Sequence, residues 1–407
     1  MENVIILGGG HDQVELLKKI NERGFHSLLV DYLDDPPAAG FAGEHLQLST
    51  ADKDAVRKLA EERSVKAILC TASDLSLRTA ATVSEQLGLA TTLTGKQVAI
   101  LTNKVAMKQI FQDNNILASK FEVIDNIDVD VPADARFPLI VKPAQNTGST
   151  GVKLVEDEEQ FKDAVQNAIE VSGNGKAIVE EYVDGKELSV DCFLKDGEAE
   201  IIMISQLFNL QTGEGTFPIS QSIAPVSVDQ EIRSKLDDIL TEIISSFGIK
   251  NGPLLLQLKV SGDQIYLGEI TGRIGGGQKH VTIKKVTGFD ILDAYLDLLL
   301  GGSHTSPKKH PDKMYSRLHL YCRTGTFQGY TIDPKILESD FLEDFKIYKR
   351  KGDQVSSPKS NRDRVGTFMV SGKSREDVGK SLLKVINNLH ITGINGEDLL
   401  IRSNNVS

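Results

Sequence analysis

Four side chains that could hold a metal ion beside a phosphate group lie in one part of the chain. Glu269, Thr271 and Arg273 are spaced two residues apart, so a β-strand would present all three on one face. Gln257 stands in an earlier apolar run, and a hairpin with an odd loop around residues 262–264 would place it opposite Glu269. Oxygen ligands beside a guanidinium suit Mg²⁺ bound with phosphate oxygens. The alternative to a metal site is an ordinary hairpin with a Glu–Arg pair on its surface and an isolated glutamine.

Two lysines upstream are placed where they could neutralise phosphate. Lys104 follows Asn103 at the predicted start of a helix, and Lys142 ends the apolar strand predicted at 138–141. A compact ammonium group can neutralise phosphate oxygens without bidentate geometry. A solvated terminus is the ordinary explanation for a lysine in such a position.

The loop at 145–151 contains small, polar and glycine residues between two predicted strands. Glycine lets backbone amides approach a phosphate closely, and the hydroxyls of Thr147, Ser149 and Thr150 could add donors. No Gly-Lys-Ser/Thr follows and no helix begins there, so this is not a Walker A loop. A flexible hairpin tip is the alternative.

Acidic residues follow at the end of a further predicted strand. Glu180 and Glu181 end the strand, and Glu187 comes shortly after Gly185. Carboxylates accept hydrogen bonds from exocyclic amines and hydroxyls, so they could bind a nucleoside. Acidic residues at a strand end are more often simply exposed.

In this order and at these spacings, the segments resemble the ATP-grasp superfamily through roughly residues 100 to 300. The most similar subgroup is the carboxylate–amine ligases with the carbamoyl phosphate synthetase and biotin carboxylase arrangement, including the L-amino acid ligases. The resemblance implies an α/β and α+β fold with an N-terminal doubly wound parallel-sheet domain. A central ATP-grasp domain with a mobile lid subdomain and a small C-terminal α+β domain would follow.

The resemblance also implies roles in ATP binding. Lys104 and Lys142 would contact the phosphates, and the lid loop with Gly148, Ser149, Thr150 and Gly151 would cover them. Adenine would be held by Glu180 and by the backbone of Glu181 and Val183, and the ribose hydroxyls by Glu187.

By the same resemblance, Mg²⁺ (or Mn²⁺) would be bound by Gln257, Glu269 and Thr271, while Arg273, with Lys142, would stabilise the transferring phosphoryl group. Many relatives have Glu in place of Gln257 and Asn in place of Thr271, although carbamoyl phosphate synthetases also have Gln at the first position. A hydroxyl ligates more weakly than an amide oxygen, so we expect one loosely held ion.

A dinucleotide site in the first domain is a competing hypothesis. Gly8 and Gly10 fill the first two glycine positions of a G-x-G-x-x-G fingerprint and Asp31 ends the second strand, but Gln13 replaces the third glycine. In ATP-grasp ligases this glycine loop lies near the small-molecule substrate. By resemblance, the segment at 213–221 lines that pocket, and His280 could contact substrate unless it is a surface residue.

The elements that must position these residues divide the chain into three predicted domains: 1–100, 101–305 with a lid at about 118–182, and 306–407. Buried strands at 4–7, 26–31 and 67–70 alternate with amphipathic stretches, which predicts a parallel sheet. Strands and helices then alternate as α+β up to a predicted linker at 301–309.

Length and composition limit the possible classes of protein. A chain of 407 residues is long enough for two or three domains. The net charge of −11 argues against nucleic acid as a partner. No signal peptide and no apolar run of ~18 residues are recognisable, which predicts a cytoplasmic protein without membrane contact. Cys70, Cys192 and Cys322 have no metal or disulfide spacing and are expected to be small buried residues.

The sequence therefore predicts an ATP-dependent ligase that joins a small-molecule carboxylate to an amine, with amino-acid-type substrates and possible homodimer formation. Two alternatives stay open: a purine-pathway type ATP-grasp enzyme acting on a ribonucleotide, and a non-catalytic nucleotide-binding protein. The first would need a basic phosphate pocket outside the ATP site. The second is suggested by Thr271 and the single acidic ligand.

Overall fold

The computed structural model describes residues 1–146, 148–210, 216–303 and 313–402. Thr147, the first part of the predicted pocket segment (213–215) and much of the predicted linker (304–309) lie outside these ranges. No helix in the described part of the chain is both long and apolar enough to cross a membrane. All three cysteines are buried with unpaired thiols, as predicted.

The N-terminal region forms a parallel sheet in the order β3-β2-β1-β4, which confirms the predicted doubly wound arrangement. Its strands and helices are β1 (Asn3–Leu7), α1 (Val14–Glu22), β2 (His26–Asp31), β3 (Glu44–Gln47), α2 (Lys53–Glu62), β4 (Ala67–Cys70) and α3 (Asp74–Gln86). The edge strand β3 was not predicted, because its half-exposed residues form no apolar run. Two helices, α4 (Gly95–Leu101) and α5 (Lys104–Asp113), lead into the next region.

A second, antiparallel sheet has the order β5-β8-β6-β7 and lies within the residues predicted to form a lid, about 118–182. Its elements are β5 (Phe121–Ile124), β6 (Leu139–Pro143), β7 (Lys153–Val155), α6 (Glu158–Val171) and β8 (Ala177–Glu181). Helix α6 covers one face, where Phe161 and Val165 are fully buried against Val141. The lid therefore has a small core of its own.

The largest sheet has the order β13-β12-β9-β10-β11-β14-β18-β16. Its central elements are β9 (Lys186–Lys195), β10 (Glu198–Asn209), β11 (Ile219–Ala224), α7 (Gln230–Phe247), β12 (Gly252–Ser261), β13 (Gln264–Thr271), α8 (Lys279–Thr287) and α9 (Ile291–Leu300). Strand β11 pairs with β14 of the C-terminal region, so this sheet continues from the centre of the chain into its last third.

The C-terminal region adds a smaller core around helix α11. Its elements are β14 (Met314–Leu320), β15 (Gly325–Ile332), α10 (Pro334–Leu337), β16 (Leu342–Ile347), β17 (Gln354–Val355), β18 (Gly366–Gly372), α11 (Arg375–Asn388) and β19 (Leu389–Gly393). Strand β15 pairs with β17 and β19 in a separate small sheet. Phe368, Leu382 and Val385 are among its fully buried side chains.

Candidate active site

The predicted hairpin is formed by β12 and β13, and Gln257 pairs directly with Glu269 as expected. The odd loop predicted around 262–264 is wrong. Ser261 pairs with Gln264, which leaves a two-residue turn, and a bulge at Gly268 supplies the extra residue that restores the register. A Cβ atom on Gly268 would lie 3.2 Å from the Gln257 carbonyl oxygen, so the bulge packs closely on the partner strand.

One cavity of about 630 Å³ collects the predicted site residues at the meeting point of the sheets. Of the residues assigned to catalysis, nucleotide and metal, all but Gly151 line it. Phe217 and Ile219, from the described part of the predicted pocket segment, line it too. Asp12 and Asp74, which follow the carboxyl ends of β1 and β4, close it from the N-terminal side.

The candidate metal face consists mainly of neutral oxygens beside one carboxylate. Gln257 and Glu269 are half-buried and face the cavity. The Lys104 ammonium donates to Glu269 Oε1 at 2.8 Å. Among the described residues, no three His, Cys, Asp or Glu side chains group closely enough to bind a metal on their own. These residues could therefore hold Mg²⁺ if phosphate and water supply most of the ligands of the ion.

Arg273 is oriented by Asp74, a residue that sequence reasoning missed. Its Nε and Nη2 atoms donate to the two Asp74 carboxylate oxygens at 2.6 and 3.1 Å, and Thr271 Oγ1 donates to Oδ1 at 3.0 Å. Burial alone would raise the pKa of Asp74, but the Arg273 guanidinium holds it below its ordinary value. The Thr271 hydroxyl proton is thus directed at Asp74, and metal ligation by its oxygen stays a prediction.

Lys104 is the first residue of α5, as predicted. The Asn103 side chain caps that helix by accepting from the Val105 and Ala106 amides. Burial alone would lower the pKa of Lys104, but Glu269 keeps it above its ordinary value. Lys104 is therefore a charged group that could move from Glu269 to a phosphate.

Glu180 is buried rather than exposed, and it lies between two ammonium groups. Its Oε1 atom is 2.6 Å from Lys142 Nζ and 3.0 Å from Lys108 Nζ, while Oε2 accepts from the Ser119 hydroxyl at 3.2 Å. Burial alone would raise the pKa of Glu180, but the two lysines lower it. An adenine contact by Glu180 stays a prediction. The Glu180 carboxylate would have to accept from adenine while it also binds Lys142, Lys108 and Ser119.

Lys108 is the second residue that sequence reasoning missed. Its side chain is fully buried one helical turn after Lys104, so both lysines project from the same face of α5. Burial lowers the pKa of Lys108 to about 8, although Glu180 opposes the shift. The spacing of the two lysines was the available signal, but it equally fits a solvated helix face.

The predicted adenine and ribose residues line the cavity beyond these lysines. The Val183 carbonyl accepts from Lys259 Nζ at 2.7 Å, and the same ammonium lies 4.4 Å from the centre of the Tyr182 ring. Glu187 accepts from Asn209 at 2.8 Å. Glu181 and Val183 both line the cavity, and the binding of their backbone to adenine stays a prediction.

The glycine loop adopts the left-handed backbone that its composition allows. The φ angles of Gly148, Ser149 and Gly151 are 69°, 60° and 73°. The Thr150 hydroxyl oxygen is buried without a hydrogen-bond partner among the described residues. An unused hydroxyl beside a glycine loop suits a phosphate ligand. The Gly148 carbonyl accepts from the backbone N–H of Asn361 at 2.9 Å, so the loop contacts the C-terminal region.

The structure fills the crevice that a dinucleotide would need in the first domain. Asp31 accepts from the Gly9 amide at 2.7 Å and from the Leu33 amide at 2.9 Å. A Cβ atom on Gly9 would lie 2.6 Å from Pro36, and Gln13 is buried and donates to the Thr71 carbonyl. These contacts disfavour the hypothesis of a dinucleotide site in the first domain.

His280 was expected to be a substrate contact or a surface residue, and the surface alternative is wrong because the side chain is 5% exposed within α8. His280 does not line the cavity, and a contact with substrate stays a prediction. The histidine that does line the cavity is His319 on β14. The sequence gave no sign that His319 belongs to a site, because the residues that surround it in the cavity are distant along the chain.

Comparison with known proteins identifies two regions of the chain. Residues 135–281 match the ATP-grasp domain, and residues 317–392 match the L-amino acid ligase C-terminal domain 2. The formate-dependent phosphoribosylglycinamide formyltransferase of Wolinella succinogenes is 20% identical over 274 residues, which are 66% of this chain and 69% of that protein.

Two solved structures are similar over nearly the whole chain. The L-amino acid ligase from Bacillus licheniformis has a TM-score of 0.80 at 20% identity, covering 96% of this chain and 98% of that one. The phosphoribosylglycinamide synthetase from Anaerococcus prevotii has a TM-score of 0.76 at 17% identity, covering 96% and 99%. At these identities the likeness establishes the shared fold.

Proposed function

We propose that this chain, which is an ATP-grasp ligase with a C-terminal domain of the L-amino acid ligase type, joins an amino-acid carboxylate to an amine. ATP would be the phosphoryl donor, and ADP and phosphate would be the products. The observation that carries the proposal is the cavity that brings the Gln257–Glu269 pair, Arg273, Lys104 and Lys142 together. The lining of the cavity also includes His319 and Arg364 of the C-terminal region.

The chemistry requires positioning and charge neutralisation rather than a protein nucleophile. A carboxylate oxygen attacks the terminal phosphorus of ATP, ADP leaves, and an acyl phosphate forms. An amine nitrogen then attacks the carbonyl carbon, loses its proton, and expels inorganic phosphate. Arg273 would stabilise negative charge on the transferring phosphoryl group, because Asp74 fixes the orientation of its guanidinium.

The remaining site residues would hold the nucleotide and its metal. Lys104 and Lys142 would exchange their carboxylate partners for ATP phosphates. Gln257 and Glu269, with Thr271 as a weaker third ligand, would hold Mg²⁺ or Mn²⁺. When bound, the ion would supply positive charge that neutralises the phosphate groups of ATP.

A second candidate function is ligation on a ribonucleotide in purine synthesis. It is favoured by the names of similar proteins, a phosphoribosylglycinamide formyltransferase and a phosphoribosylglycinamide synthetase. The match to the L-amino acid ligase C-terminal domain 2 favours the amino-acid ligase instead. A cytoplasmic location and a homodimer stay predictions.

The test is ADP release from the purified protein with ATP, Mg²⁺ and mixtures of amino acids, each repeated with hydroxylamine as a small nucleophile. Amino-acid-dependent ADP and a hydroxamate product, which reports an acyl phosphate, are expected. Turnover only with a phosphoribosylamine-type substrate would support the purine alternative. ATP binding without turnover under any condition would identify a nucleotide-binding protein that is not an enzyme.

A further inference from the structure

A buried lysine lies behind the carboxylate that is proposed to contact adenine. Glu180 lines the cavity, whereas Lys108 is fully buried and does not line it. The Lys108 ammonium lies 3.0 Å from Glu180 Oε1 and 5.4 Å from the centre of the Phe121 ring. Phe121 is the residue of β5 that pairs with Glu180 on β8. Lys108 therefore acts on a ligand in the cavity through Glu180 rather than by direct contact.

Lys108 is linked to both oxygens of the Glu180 carboxylate. Besides its approach to Oε1, the ammonium donates to the Ser119 hydroxyl oxygen at 3.1 Å, and that hydroxyl donates to Oε2 at 3.2 Å. Lys108, Ser119 and Glu180 thus form a closed ring of contacts that fixes the plane of the carboxylate. A carboxylate has roughly four acceptor positions, so one that keeps these two contacts can still accept from a ligand.

The second ammonium group beside Glu180 differs from Lys108 in its access to the cavity. Lys142 Nζ lies 2.6 Å from the same Oε1 atom, but its side chain is 13% exposed and lines the cavity. In the proposed function, Lys142 leaves Glu180 for a phosphate of ATP, and Lys104 leaves Glu269 in the same way. Lys108, at 0% exposure, has no such path to the phosphates. It is then the cation that remains against the buried carboxylate.

The charge of Glu180 decides which purine base it can recognise. An ionised carboxylate only accepts hydrogen bonds, whereas a protonated carboxyl group also donates one. The exocyclic amino group of adenine is a donor, and the carbonyl oxygen that replaces it in hypoxanthine is an acceptor. Burial favours the protonated form of Glu180, and Lys142 and Lys108 together hold its pKa below the ordinary value. When Lys142 leaves, this task falls to Lys108.

We propose that Lys108 is a positioning residue that keeps Glu180 a pure hydrogen-bond acceptor in the nucleotide complex, and that it thereby makes the site select an amino purine over an oxo purine. The inference rests on the proposed function, from which it takes the adenine contact of Glu180 and the departure of Lys142. Without Lys108, a buried Glu180 that has lost Lys142 would take up a proton. The neutral group could then donate to a purine carbonyl, and the selection of adenine would weaken.

The first experiment measures base selectivity. Calorimetry with Mg²⁺ at pH 7, below the pKa of about 8 of the Lys108 ammonium, gives the ratio of the dissociation constants of inosine triphosphate and ATP. We expect Lys108→Met to lower this ratio about tenfold, the equivalent of roughly one hydrogen bond. Lys108→Gln, which keeps a polar group without charge, should act in the same direction. Lys19→Met is the matched control, because Lys19 is also a largely buried lysine paired with carboxylates but lies outside the cavity.

A double variant separates this role from a loosened core. Glu180→Gln replaces the carboxylate by an amide that both accepts and donates, so it should lower the ratio by itself. If Lys108 acts through the charge of Glu180, the addition of Lys108→Met to Glu180→Gln lowers the ratio no further. An unchanged ratio in Lys108→Met, or a second drop as large as the first in the double variant, would overturn the inference.

A second experiment requires no nucleotide. Lys142→Ala imitates the departure of Lys142, and Lys108→Met is then added to it. Difference infrared spectra at pH 7 report the carbonyl stretch of a protonated carboxyl group, which is assigned to Glu180 by its loss when Glu180→Gln is added.

We expect no such band in Lys142→Ala and a band in the double variant, with urea unfolding to confirm that both are folded. A band already present in Lys142→Ala, or none in the double variant, would overturn the inference. If the wild type binds no ATP, the nucleotide site of the proposed function fails, while the infrared comparison still decides whether Lys108 keeps Glu180 ionised.

Discussion

The two ends of the cavity handle charge differently. At the proposed nucleotide end, formed by Lys104, Lys142, Glu180 and the loop Gly148–Gly151, both lysines are paired with carboxylates. At the opposite end, formed by Gly275–Gly277, His319 and Arg364, the Arg364 guanidinium donates to neutral oxygens among the described residues. If ATP binds as proposed, its phosphates would displace the carboxylates from the two lysines, whereas an anion at the opposite end would displace no described carboxylate from Arg364.

This difference implies different kinds of selectivity. At the proposed nucleotide end, a ligand with several negative charges would compete best with Glu269 and Glu180 for the two lysines. At the opposite end, a singly charged anion could bind Arg364 without displacing a described carboxylate. The variants below test whether the carboxylates at the nucleotide end only balance charge or also bind ligand.

The largest effect is expected for Glu269. Glu269→Gln keeps the shape of the side chain but removes the only formal charge on the metal face, and Glu269→Ala removes both. We expect Mg²⁺-dependent ATP turnover to fall by ~10²–10³-fold or more, as when a group that stabilises transition-state charge is lost. Steady-state ADP release is the measurement. The exposed Glu376→Ala is the control, and normal turnover in both Glu269 variants would exclude it as a metal ligand.

Lys108 tests the charge balance around Glu180 through stability. Its pKa is about 8 in the folded protein and 10.5 ordinarily, so between these values the unfolded chain binds more protons. The free energy of unfolding should therefore rise with pH from about 8 to 10.5, by up to roughly 3 kcal/mol from this group. Below pH 8 that contribution is absent, because Lys108 is charged in both states.

The measurement for Lys108 is urea unfolding at several pH values in the wild type and in Lys108→Met. The difference between the two proteins isolates this group from others that titrate in the same window. We expect the variant to lose the rise. Parallel curves for the two proteins would show that Lys108 keeps an ordinary pKa.

Lys142 tests where the nucleotide binds. Lys142→Ala removes a cation from a partly desolvated site, and we expect ATP binding to weaken by about 1.5–3 kcal/mol, or roughly 10- to 150-fold. Asp31→Ala should leave ATP affinity nearly unchanged, because the Asp31 carboxylate accepts from the Gly9 and Leu33 amides and does not line the cavity. Calorimetry measures both. The opposite result would move the nucleotide to the first domain.

The smallest effect is expected in the lid loop. Without nucleotide, the amides of residues 148–152 should exchange rapidly with solvent, and ATP with Mg²⁺ should slow them. Mass spectrometry of hydrogen exchange gives the comparison, with α11 as an internal reference remote from the loop. Asn361→Ala, which removes the 3.4 Å side-chain contact to Ser149, should accelerate exchange slightly. Equal protection in all states would argue against a lid.

Short-range patterns in the sequence were sufficient for much of this site. The pairing of Gln257 with Glu269 follows from strand periodicity, and the glycine loop follows from composition. The bulge at Gly268 could not be predicted, because an odd loop and a two-residue turn with a bulge give the same pairing. Lys104 and Lys142 were placed by family resemblance, since neither position is distinctive alone.

The missed residues act through contacts between distant segments. Asp74 orients Arg273 across 199 positions of the chain, and its own neighbours indicate only a helix start. His319 lies on β14, whose pairing with β18 was not predicted, and Arg364 lies in the loop just before β18. Their importance depends on which charges remain unpaired after folding, and no local pattern records that.

The continuous sheet that runs from β13 to β16 has a consequence for substrate size. The strand that carries Glu269 and the strand that carries His319 belong to one hydrogen-bonded sheet, so a hinge between them would have to break strand pairing. The predicted lid has a separate sheet and core, so movement of the lid would leave that spacing unchanged. If the chain joins two substrates in this cavity as proposed, the spacing would limit the length of the molecules that it accepts.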